Sequence, residues 1–113
     1  MDELFESAVR SIGDIAGVFE FDGEAGYFYL CVIDEKQDSK IIDAIGVFLN
    51  TPMSSLPSIA VEWDASEQNV GLVIDGILWA IFDCANGKKF GAAYSKNTKP
   101  NLPADVAQGF RRM

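Results

Sequence analysis

Val70-Gly-Leu-Val-Ile-Asp-Gly-Ile-Leu-Trp-Ala-Ile-Phe-Asp83 is the stretch from which the fold is read. Two runs rich in β-branched and aromatic residues flank Asp75-Gly76, the dipeptide that best supplies the two positive φ angles of a type I′ turn. Val70, Leu72 and Ile74 share one face of the first run, and Gly71 and Val73 share the other. In the return run Ile77, Trp79 and Ile81 oppose Leu78, Ala80 and Phe82, so neither face is polar. A hairpin apolar on both faces requires cover on both, by a helix, a second layer or a partner, and belongs at the centre of a sheet.

Working outward, residues 18–21 and 27–33 form a second apolar hairpin across Asp22-Gly23-Glu24. A strand over 40–49 follows the charged stretch 34–39. It carries Asp43 on its apolar side, an anomaly that a strand edge, a hydroxyl or lysine partner, or a functional position would explain, the first two before the last. Residues 50–57, bracketed by Pro52 and Pro57, form a breaker-rich connection. The strand over 58–64 alternates cleanly, with Ile59, Val61 and Trp63 against Ala60, Glu62 and Asp64, and so belongs at or near a sheet edge. Asn86-Gly87 turns the chain into a last strand over 89–94.

The two ends of the chain read as helices. Leu4, Phe5, Ala8, Val9 and Ile12 make an amphipathic stripe, with acids in its first turn, Arg10 in its last and Gly13 as the stop. Pro103 followed by the Val106–Phe110 pair predicts a short C-terminal helix capping the sheet. The expected class is α+β: one antiparallel β-meander of about six or seven strands with an N-terminal and a short C-terminal helix, in one domain spanning 1–113.

The 113 residues carry a formal charge of −8, unevenly spread. Residues 1–75 hold 15 acids against Arg10, Lys36 and Lys40, a balance of −12, whereas residues 76–113 balance at +4. That argues against nucleic acid as a ligand and is compatible either with a basic protein partner steered by charge or with an acidic surface that serves solubility alone. No apolar run is long enough to span a bilayer, and Met1-Asp2-Glu3 does not open a secretory signal, so the expectation is a cytoplasmic protein that engages no membrane. Cys31 and Cys84 sit in apolar patterns and read as reduced, buried thiols. Without histidine the common general acid–base and nucleophilic triads are impossible, and no metal site or cofactor is expected. No catalytic residue is assigned.

If the strands run up and down, the loops at 34–39, 64–69 and 84–88 fall at one end. That end gathers Asp34, Glu35, Asp38, Asp64, Glu67 and Asp83, diluted by Lys36, Lys40, Lys88 and Lys89 and with outward Glu62 beside them, either as a rim able to dock a basic partner or as the charged turns that keep a small sheet soluble. Tyr27, Tyr29, Trp63 and Trp79 are the candidate pocket or interface aromatics.

The segments Phe19-Glu-Phe-Asp-Gly-Glu-Ala-Gly-Tyr-Phe-Tyr-Leu30, Val61-Glu-Trp-Asp64, the central hairpin and Gly87-Lys-Lys-Phe-Gly91 together resemble a family of small bacterial single-domain proteins known only as a domain of unknown function. The resemblance spans about residues 18–110 and brings no catalytic residues with it. In size and acidity the chain is also similar in type to immunity proteins of bacterial toxin systems. The expected function is therefore a non-enzymatic protein-binding domain, an immunity-type inhibitor of a basic toxin. The alternatives are a self-associating domain with an apolar sheet-face interface and a small-ligand binder with an aromatic pocket.

Overall fold

The computed structural model describes residues 4–33, 40–48, 57–91, 93–94, 100 and 102–110. Among the described residues, eight strands form two antiparallel four-stranded meanders. The first runs β1 (Leu4–Val9), β2 (Ile15–Phe21), β3 (Gly26–Val32) and β4 (Lys40–Phe48). The second runs β5 (Ile59–Trp63), β6 (Asn69–Ile74), β7 (Ile77–Asp83) and β8 (Lys88–Phe90). A single helical turn, α1 (Ala104–Ala107), continues into a 3-10 turn over Gln108–Phe110.

Two expectations are corrected. Residues 4–9 form no N-terminal helix; they are β1, paired in full register with β2 from Leu4↔Phe21 to Val9↔Ala16. A helix this short is marginal in isolation, and pairing with β2 satisfies the same backbone while sending Leu4 inward and Phe5 and Val9 outward. Gly13, at φ 80°, is a turn residue of the β1–β2 hairpin, which the Arg10 N–H closes by donating to the Ile15 carbonyl at 2.8 Å. The second correction is to the single sheet of six or seven strands. Pairing stops between β4 and β5, on either side of the Pro-bracketed connection, and the chain starts a second sheet. The fold is mostly antiparallel β rather than α+β, and a second sheet is what covers the inner face of the central hairpin.

The core lies between the sheets. Phe19, Phe28, Val47, Val70 and Leu72 are wholly excluded from solvent, and the rings of Phe28 and Phe82 meet across the layers at 4.9 Å. Each such ring contributes about 1.5–3 kcal/mol by burial. Gly17 lets the layers close at this point: a Cβ there would stand 2.6 Å from Cγ2 of Val70. The seams are stitched on both sides. Nε1 of Trp63 donates to the Ala8 carbonyl at 2.9 Å. Opposite, the Tyr94 N–H donates to the Val47 carbonyl at 2.7 Å and Lys89 reaches Asp43 at 2.8 Å. Asp43 is thus the lysine-paired edge carboxylate that its anomalous position implied, and Lys89 holds it below the usual carboxylate range.

The central hairpin forms at the expected turn, but the expected alternation breaks at a register shift in β7, where Trp79 joins Ala80 and Phe82 in the core instead of sharing a face with Ile77 and Ile81. Asp75 and Gly76 take φ angles of 51° and 79°, and β6 and β7 are buried on both faces. Their outer face is closed by the C-terminal turns, where Phe110 lies over Gly71 against Leu78. The outer face of the first sheet has no such cover among the described residues.

Candidate functional site

Candidate groups gather in two regions, the loop end and the outer face of the first sheet. At the loop end, residues 64–69 and 84–87 meet as the topology implied, joined by the Cys84 N–H donating to the Gln68 carbonyl at 2.8 Å. The β1–β2 turn joins them, a member that the helical reading of residues 2–12 hid. Arg10 sits at its centre, paired with Asp14, donating from Nη1 to the Glu67 carbonyl at 3.1 Å and lying 5.5 Å over the Trp63 ring. This pairing raises the Arg10 pKa and lowers that of Asp14. Asp34, Glu35 and Asp38 lie outside the described residues.

Two of the rim carboxylates, Asp64 and Asp83, are buried. Asp64, only 7 % exposed, accepts from Ser66 Oγ and the Gln68 and Asn69 N–H groups at Oδ1, and from Asn69 Nδ2 at Oδ2, 2.7 Å away. Asp83, 8 % exposed, accepts from the backbone and side-chain nitrogens of Asn86. Glu67 accepts from Ser11 Oγ, and Glu62 is half-buried in β5. Asp64 and Asp83 therefore anchor turns, with their carboxylates bonded within the protein. The signal was in the sequence as Asp83-Cys-Ala-Asn86, the spacing at which an aspartate caps its own turn.

The aromatic candidates divide. Trp79 is buried in the core with its ring 4.9 Å from that of Tyr94, and Trp63 is half-buried in the seam. Tyr27 and Tyr29 instead stand on the outer face of the first sheet, stacked at 6.0 Å. Register places Phe5, Glu20, Tyr27 and Gly46 in one row across all four strands. Ser7, Val18, Tyr29 and Ala44 make the next, and Val9, Ala16, Cys31 and Ile41 the third. Ten of these twelve positions are uncharged and lack a hydroxyl on an aliphatic chain or a carboxylate, the exceptions being Ser7 and Glu20. Phe5, Val9 and Ile41 are each more than half exposed. Burial raises the Tyr29 hydroxyl and the Cys31 thiol, each with a smaller push from Glu20. At the hairpin end of this face, Phe5, Glu20, Asp22, Tyr27 and Tyr29 line an open groove of about 610 Å³.

A smaller cavity of about 240 Å³ opens near the loop end beside Leu30, Phe82 and Cys84. Its carboxylates, Asp43 and Asp83, already have partners, and burial raises the Cys84 thiol. Among the described residues no group of three His, Cys, Asp or Glu side chains could hold a metal ion, and no helix is long and apolar enough to cross a membrane.

Comparison with known proteins adds a family without an assigned activity. Residues 2–110 match the family described as "Uncharacterized protein conserved in bacteria (DUF2251)". A protein of Haemophilus influenzae, itself named only as uncharacterized, is 31% identical, the match covering 89% of this chain and 67% of the relative. No solved structure matches the chain.

Proposed function

Since the chain belongs to this family of uncharacterised bacterial proteins, we propose that it is a non-enzymatic protein-binding domain that docks a basic protein through the outer face of the β1–β4 sheet. One observation carries this reading: the two sheets are treated unequally. The second has its outer face closed by the C-terminal turns around Phe110, whereas the first exposes Phe5, Val9, Tyr27 and Ile41 on a four-stranded face. Several exposed apolar side chains gathered on one sheet face in this way support a binding role for it.

The basic character of the partner rests on charge. The chain carries −8 overall, and the three rows of this face hold Glu20 as their charged residue, with no lysine or arginine to repel a cation. An acidic surround steers a basic partner and an apolar centre retains it. A basic toxin held by an immunity-type protein is one partner of that description, and the cytoplasm is where such a complex would form.

Site-specific photocrosslinking in the bacterium tests the reading. A photoreactive residue at Val18 or Ile41 should trap one basic protein, and the same probe at Ser66 or Asn86 should not. An adduct of two copies of this chain would replace the proposal with self-association. Adducts confined to Ser66 and Asn86 would return the binding role to the loop end.

A further inference from the structure

We infer that the groove at the hairpin end of the exposed face is a cation seat, which takes the guanidinium group of an arginine side chain presented by the docked protein. This rests on the docking reading above and adds the chemistry of the anchor.

The walls are aromatic and the charges are acidic. Glu20 lies between Phe5 of β1 and Tyr27 of β3 in a single cross-strand row, and Tyr29 stacks beside Tyr27 at 6.0 Å. Asp22 closes the hairpin end of the groove. Its Oδ1 accepts from the Glu24 and Ala25 N–H groups at 3.0 and 2.9 Å, which fixes the carboxylate and keeps it ionised to unusually low pH. A volume of about 610 Å³ leaves room for a whole side chain.

Faces of aromatic rings attract cations, and a carboxylate set between them adds a directed acceptor. Arginine fits better than lysine because its guanidinium is planar, stacks on rings, sheds water more readily and can meet a carboxylate with two parallel hydrogen bonds. Phosphate or an acidic peptide would meet Glu20 and Asp22 with like charge.

The test uses the intact chain and blocked amino acids as probes. N-acetyl-arginine N-methylamide and its citrulline counterpart, which has nearly the same shape without the charge, are titrated while backbone amide shifts are followed by NMR. Arginine should perturb Phe5, Glu20, Tyr27 and Tyr29 first and bind about tenfold more tightly than citrulline. Glu20→Gln, at an exposed position, should erase most of that preference without changing thermal stability, and Asp105→Asn on α1 should leave it intact. Equal response to citrulline, shifts scattered over the loop end, or an unchanged preference in Glu20→Gln would overturn the seat. Because crosslinking from Val18 and Ile41 does not depend on the groove, its persistence would show that the anchor had failed and the docking face had not.

Discussion

Trp63 and Ala8 are joined across the two sheets, the indole N–H of β5 donating to a main-chain carbonyl of β1 at 2.9 Å. Along this seam the edge strands β1 and β5 approach each other. Trp63→Phe keeps most of the apolar contact and removes the donor, so it should destabilise the fold by about 1 kcal/mol. Thermal unfolding followed by circular dichroism should show a Tm lower by about 4 °C. An unchanged Tm would mean that the bond contributes nothing to holding the seam.

Gly17 allows β2 to approach β6 closely. An added methyl group would stand 2.6 Å from Cγ2 of Val70 and 3.1 Å from Cγ1 of Val61, both on stiff β-branched side chains. Gly17→Ala should therefore lose about 1–3 kcal/mol by overpacking, despite the better strand propensity of alanine. Denaturant unfolding would read the loss. Equal or greater stability would show that the layers have slack.

The Asp64 carboxylate organises the 64–69 turn through bonds to three residues. Asp64→Ala strips a half-built turn of its acceptor and should cost about 3 kcal/mol. Asp64→Asn should recover only part of this, because in one of its two amide orientations an –NH₂ group faces Asn69 Nδ2, another donor. The stability of each variant can be compared with its binding: folded Asp64→Ala should still crosslink its partner from Val18. Loss of the crosslink from a folded variant would revive the rim as a docking site.

Acid should weaken the fold through Asp43. Its folded pKa is depressed, chiefly by the Lys89 hydrogen bond, so its contribution is present above the ordinary carboxylate pKa of about 3.9 and is lost as pH falls through the folded value. Asp14 and Asp22, depressed by Arg10 and by turn N–H groups, act in the same direction. Lys89→Met should raise the Asp43 midpoint in a ¹³C carboxyl titration and leave that of Asp22 in place. With both partners substantially exposed, the stability change at neutral pH should stay below about 1 kcal/mol. A stationary Asp43 midpoint would contradict the assigned pair.

Features fixed by neighbouring residues were legible in the sequence. Asp75-Gly76 announced its turn because few other dipeptides accept two positive φ angles, and the two apolar faces of residues 70–83 announced that something must lie on each. Asp43 announced a partner because an acid on an apolar row needs one. What escaped depended on distant pairings. Leu4, Phe5, Ala8 and Val9 satisfy a helical stripe as well as a strand with two usable faces, and the register with residues 16–21 decides between them. The groove escaped for the same reason, since Phe5 and Glu20 become neighbours only when β1 is a strand. Of the candidate aromatics, Tyr27 is exposed and Tyr29 half-buried on the outer face of the first sheet, whereas Trp79 lies in the core.

Each sheet is drawn from one uninterrupted half of the chain, residues 4–48 for the first and 59–90 for the second. Every ladder within a sheet joins sequence neighbours, so each half can zip up hairpin by hairpin before the other exists. The core is then the contact surface of two fragments. A chain cut between the halves should regain its fold by fragment complementation, and two intact chains at high concentration have a ready route to domain swapping, exchanging halves without giving up a single strand pair.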